Sequence, residues 1–168
     1  MERRRPRCNR RWPPDRDPNH VVNLHAKLAQ RAAQGKPLRV GLIGAGKFGA
    51  MYLAQVPKMA GVHLAGIADL SPDNARANLA RVGWAQERSG AASLDDALAK
   101  GTTFVGDDWE KLVAHPRIDI VIECTGNPPA AVEHCLAAFR HGKHVVNVTV
   151  EADAFAARCS RARPRKRA

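Results

Sequence analysis

Gly44, Gly46 and Gly49 in LRVGLIGAGKFGAMYLAQVP are spaced G-x-G-x-x-G, and Asp69 follows Gly49 by twenty residues. Between a strand and a helix, this spacing can cradle a diphosphate. Gly44 permits a tight turn. Gly46 lets the diphosphate approach the backbone where any Cβ would intrude, and Gly49 lets the helix pack closely on the sheet. The diphosphate then meets free N–H groups at the positive end of the helix, so the loop Gly44, Ala45, Gly46 and the turn Lys47, Phe48, Gly49 are candidate contacts for a dinucleotide. Asp69 closes the next apolar segment, where its carboxylate can accept hydrogen bonds from adenosine ribose hydroxyls or cap the following helix. The ribose role favours NAD. NADP would draw on Ser71, Asn74 and Arg76, so the expected cofactor is NAD or NADP. Lys47 can neutralise phosphate charge or stand solvated.

A second stretch, ECTGNPP, supplies Thr125 and Gly126, small enough for a nucleotide to lie across the strand end, and Asn127, with donors and an acceptor. The same residues can equally form a plain strand-to-helix turn opened by Pro128. Cys124 belongs to this edge and is counted with the cofactor contacts. Nothing near it in sequence activates a nucleophile, so it reads as a buried thiol. Asn147 and Thr149 share one side of a later strand and are expected to line a nicotinamide pocket. There is no C-x-x-C and no Cys/His cluster of zinc spacing, so no metal site is expected, and no general acid can be named.

The elements that must position these residues alternate. NLHAKLAQRAAQGKP (23–37) reads as a leading helix with Asn23 as cap. LRVGLI (38–43) is a continuous apolar strand of the kind covered on both faces, and the helix after it ends before Pro57. Strands follow at 62–69, 102–106, 118–126 and 144–150, with helices over 71–84, 93–101, 107–115 and 128–143. This pattern predicts an α/β doubly wound parallel sheet of Rossmann type, five strands in the order 3-2-1-4-5, apparently truncated after the fifth. No convincing helix follows that strand, leaving an apolar edge with a tendency to dimerise or precipitate.

The 168-residue chain carries a formal net charge of +11, but the charge is not where a nucleic-acid-binding face would need it. Residues 1–20 hold seven Arg against three acids, and residues 156–168 hold five Arg and Lys166 with no acid, which leaves 21–155 at +1. Both ends lack apolar periodicity and read as disordered basic tails. They are also what GC-rich DNA encodes in a wrong frame, so a frameshift near residue 155 and an over-extended start ahead of Asn23 are the expected source. The domain proper is then 21–155. No aromatic platform accompanies the tails, which argues against nucleic acid. The apolar runs are too short to span a bilayer. Unpaired cysteines suit a reduced, cytoplasmic protein.

RVGLIGAGKFG, VHLAGIADLSPD and IVIECTGNPPAAVEHCLAAFRHGKHVVNVTVEADA together resemble the NAD(P)-binding domain of the homoserine dehydrogenase-like oxidoreductases, over roughly residues 23–155. Within that group the sequence is similar to the branch described as homoserine dehydrogenase-like or 1-deoxy-D-xylulose-5-phosphate reductoisomerase-like, whose members carry a later SAF-type domain. The resemblance implies nicotinamide hydride transfer, a homo-oligomer in the full-length family, and cofactor contacts at Gly44, Gly46, Lys47, Phe48, Gly49, Asp69, Thr125 and Gly126. Sugar-dehydrogenase relatives place Glu-Lys-Pro, with a catalytic lysine, after the fifth strand; this chain has TVEAD there, so Glu151 is no evidence for that chemistry. Two functions compete: an oxidoreductase cofactor domain whose substrate half lies outside this chain, and a stand-alone NAD(P)-sensing module whose basic tails touch nucleic acid.

Overall fold

The computed structural model describes residues 23–160; the tail segments 1–20 and 161–168 lie outside them. Five strands, β1 (Leu38–Ile43), β2 (Val62–Ala68), β3 (Phe104–Gly106), β4 (Ile120–Glu123) and β5 (His144–Asn147), form one parallel sheet in the order β3-β2-β1-β4-β5. This is the order expected from the alternation. Helices α1 (Leu24–Ala33), α2 (Lys47–Gln55), α3 (Pro72–Arg81), α4 (Leu94–Lys100), α5 (Trp109–Ala114), α6 (Pro128–Arg140) and α7 (Val150–Ser160) connect and follow the strands.

Side chains alternate across each strand, so the sheet separates two apolar layers. One gathers Val40, Leu42, Leu53, Leu64, Ile67 and Leu79; the other gathers Ile43, Leu112, Val113, Ile118, Val121 and Ala138. The β1–β2 register slips between Val40 and Gly41. Gly41 and Gly66 pair there, and a Cβ on Gly66 would stand 2.7 Å from a Leu112 methyl. The missing side chains are what let α5 approach the sheet.

Local chemistry sets most boundaries. Asn23, Ser93, Asp108 and Asn127 each accept a hydrogen bond from a first-turn N–H of the helix they open. Ser71 occupies the cap position of α3, but its side chain makes no capping bond. Asp69 Oδ1 takes the Ser71 N–H at 2.9 Å instead. Pro57 ends α2 and enters a short 3₁₀ turn, Val56–Lys58.

Two expectations are corrected at the C-terminal side. The fifth strand stops at Asn147, because Val148 and Thr149 turn the chain into α7. That helix exists, begins at Val150, packs along α6 and buries Ala152. Its lack of strong apolar periodicity hid it, since contact with α6 rather than its own pattern holds it in place. The boundary drawn at 155 therefore falls inside a helix, and residues 156–160 are helical rather than part of a tail.

Candidate functional site

In-register pairing aligns the carboxyl ends of the central strands: Ile43 pairs with both Ala68 and Glu123, and Glu123 with Asn147. The order places β1 between β2 and β4, and the chain leaves β1 toward one side and β4 toward the other. A crevice must open where the connections diverge. A cleft of about 430 Å³ lies there, lined among others by Gly44, Gly46, Asp69, Cys124, Thr125 and Asn127.

The glycine loop forms its floor. Gly44 has φ +88°, which only glycine adopts without strain, and its Cβ would stand 2.9 Å from the Cys124 carbonyl. A Cβ on Gly49 would lie 2.3 Å from the Gly44 oxygen, so α2 starts against the loop with no room for a methyl group. Gly46 is different: its φ is −68°, and a Cβ there would meet no protein atom within 4 Å. The space before it is open, and α2 has no side-chain cap, in contrast to α1, α4, α5 and α6. Its first-turn N–H groups and the positive end of its dipole face that space.

Residues 38–147 match the Gfo/Idh/MocA oxidoreductase family, whose matched domain is an NAD-binding Rossmann fold. The chain belongs to this family. It is 31% identical over 115 residues to a homoserine dehydrogenase of Neisseria gonorrhoeae, covering 66% of this chain and 23% of that protein. A solved homoserine dehydrogenase from Thiobacillus denitrificans superposes with a TM-score of 0.54 at 25% identity, covering 73% of this chain and 26% of that one. The chain thus spans about a quarter of the length of these relatives. The resemblance to homoserine dehydrogenase-like oxidoreductases noted in GAGKFG and ECTGNPP holds in both sequence and structure.

In this Gfo/Idh/MocA domain, both oxygens of the Asp69 carboxylate accept backbone N–H groups. One oxygen holds Ser71 N–H, and the other accepts from Ala45 N–H at 2.7 Å. Asn78 Nδ2 donates to Ala45 O at 2.8 Å, so the Ala45 peptide is held from both sides. Each Asp69 oxygen retains a lone pair for a further donor. Arg76 points elsewhere, donating to Val105 O at 3.0 Å and pairing with Asp73. Lys47 and Phe48 are exposed on the first turn of α2 and do not line the cleft.

Asn147 and Thr149 lie outside the residues lining this cleft. Thr149 is 2% exposed and accepts from Gly126 N–H at 3.1 Å, while Asn147 Nδ2 donates to Thr149 O at 3.1 Å. Because β5 ends at Asn147, the chain curls under the Thr125–Asn127 turn, and both residues brace that turn from below.

Three residues escaped sequence reasoning. Glu123 is fully buried at the end of β4, where Thr125 donates to its Oε1 from both N–H and hydroxyl. His134 Nδ1 lies 3.5 Å from the same oxygen, and the His134 ring tilts against Trp109 at a centroid distance of 4.5 Å. Burial alone would raise the Glu123 pKa, but hydrogen bonds from His134, Thr125 and Thr149 outweigh it and hold the carboxyl below its ordinary range. Its stabilising contribution is therefore present above the usual carboxylate pKa and lost as pH falls through the lowered value. The signal for Glu123 was a charge inside an apolar strand. His134 and Trp109 gave none, since only the packing of α5 beside α6 brings them together.

Burial, and then the Glu123 charge, push the Cys124 thiol up to about 11; Cys135 rises to about 11 from burial, Glu123 and Asp153. Both are free thiols. The stability they lend is complete below pH ~9 and lost as pH rises toward the folded values. In folded protein at about pH 8, iodoacetamide should label both at least tenfold more slowly than after denaturation, read by mass spectrometry of the peptides. Labelling of Cys124 at the denatured rate would show that the strand end is open.

Among the described residues, no helix is long and apolar enough to cross a membrane and no cluster of metal-ligating side chains occurs.

Proposed function

We propose that the chain binds NAD across the carboxyl edge of the sheet and presents its nicotinamide for hydride transfer in an oxidoreductase. The observation that carries this is the uncapped α2 N-terminus, with open space before Gly46 and the Asp69 carboxylate beside it. N–H groups at Gly46, Lys47, Phe48 and Gly49 take the diphosphate, and Ala45 is held in register by Asp69 and Asn78. Asp69 accepts from the adenosine ribose. Cys124, Thr125, Gly126 and Asn127 support the nicotinamide half, with Asn147 and Thr149 acting beneath them. When bound, the nicotinamide supplies the hydride acceptor or donor. The protein's part is to bind and orient it and to exclude water from one face.

NAD is favoured over NADP. A 2′-phosphate would meet the Asp69 carboxylate, no Lys or Arg among the described residues lines the cleft, and Arg76 is already engaged. Calorimetric titration should give NAD affinity at least tenfold above NADP, with Asp69→Asn weakening NAD and narrowing the gap. Equal affinities for both cofactors in the wild type would overturn the preference, and binding of neither would overturn the site.

For the whole protein we propose oxidation of a homoserine-type alcohol, on the strength of the 31% identical relative. Its substrate-binding residues are then supplied from outside the matched region. A cytoplasmic location suits the free Cys124 and Cys135, and a homo-oligomer follows from the resemblance.

A further inference from the structure

We propose that a second cleft, at the amino end of the sheet, binds a small molecule carrying two or more phosphate groups. The inference stands on residues that the dinucleotide reading does not use.

All five strands run parallel, so the segments that enter them gather at one edge. Arg39 near the start of β1, His63 near the start of β2, Thr103 just before β3 and Arg117 ahead of β4 come together there. With Arg88 and Lys100 they line a cavity of about 550 Å³, which shares no residue with the cleft at the carboxyl edge. A volume of that order takes a whole small metabolite.

The charge of this cavity is one-sided. Arg39, Arg88, Lys100 and Arg117 line it, and among the described residues no Asp or Glu does. Lys100 is balanced by Asp96 at 2.7 Å. The three guanidinium groups are not, since among the described residues none of them forms an ion pair. Arg117 Nη2 reaches only a neutral carbonyl, Leu98 O, at 3.4 Å. Asp119 takes the main-chain N–H of Arg39 at 2.9 Å, not its guanidinium. The Arg88 guanidinium stands 5.0 Å from the centroid of the Trp84 ring, and Trp84 is itself fixed by donating from Nε1 to Leu53 O at 2.8 Å. Stacking holds that group in place while its N–H fork stays available.

Contacts within the described protein therefore do not account for three cations around one concavity. Their mutual repulsion is a cost, and a concave wall of one sign concentrates the field on whatever enters it. Guanidinium groups match phosphate oxygens through paired N–H donors. Val56, Pro57 and Trp84 supply an apolar wall for the rest of the ligand. A compact phosphorylated molecule fits this shape better than a nucleic-acid strand, which needs an extended basic groove.

The test is calorimetric titration of inorganic pyrophosphate, at low salt and with excess NAD present to occupy the other cleft. The full-length chain is compared with its Arg88→Gln, Arg117→Gln double variant; both side chains belong to exposed residues, and a melting curve checks the fold. The expected result is binding by the wild type and a loss of at least roughly tenfold in the double variant. Equal affinity in the two proteins would put the probe on the Arg-rich ends of the chain or in the other cleft, and the proposal is then wrong. No binding by the wild type also overturns it. Should the variant fail to fold, phenylglyoxal labelling of the wild type decides. Saturating pyrophosphate should slow modification of Arg39, Arg88 and Arg117 by at least roughly fivefold, read by peptide mass spectrometry. Unchanged rates at all three would overturn the proposal.

Discussion

Gly46→Val should abolish NAD binding in a protein that folds as before. The backbone at Gly46 has φ −68°, open to any L-residue, and a Cβ there meets no protein atom within 4 Å. The fold therefore has no objection to the side chain, and the melting temperature should stay within about 3 °C of wild type, the shift expected for less than 1 kcal/mol in a domain of this size. The ligand has every objection. Three carbons would fill the space through which a diphosphate reaches the α2 N–H groups, and each charge-assisted hydrogen bond lost is worth about 1.5–3 kcal/mol. Two such losses weaken binding by at least roughly a hundredfold. Calorimetry with NAD, alongside a melting curve, checks both halves. Binding at wild-type affinity would mean that the diphosphate does not pass over Gly46.

Gly49→Ala should do the reverse and damage the fold first. The added methyl would stand 2.3 Å from the Gly44 carbonyl oxygen and 3.2 Å from its carbon, both backbone atoms that cannot rotate away. Either α2 backs off the sheet, opening space beneath buried Leu53, or the Gly44 turn, itself wedged against the Cys124 carbonyl, has to move. Overpacking of this kind costs about 3 kcal/mol. In a domain of this size that is roughly a 10 °C loss in melting temperature. Thermal unfolding followed by circular dichroism would show it. A variant melting with the wild type would mean that α2 is not seated against the loop as described. Two glycines three residues apart thus differ in kind: one borders open space before α2, the other closes a contact within the protein.

Much of this was legible in the chain itself. The alternation of apolar strands with amphipathic segments, and the Asn23 cap of α1, follow from side-chain chemistry acting over three or four residues. So did the parallel sheet, its order, and the place of the glycine loop at the carboxyl end of β1. Local rules and the handedness of crossovers leave few other arrangements.

Only the tertiary structure decided the rest, because it depends on groups distant in sequence. Thr149 meets Gly126 N–H because β5 ends early and the chain turns into α7. The helix itself needed α6 to pack on. Asn78 reaches Ala45 across 33 residues, and His134 reaches Glu123 only after α6 has folded back over β4. Periodicity records which face of an element is apolar. It carries no record of which polar atoms meet when those faces close.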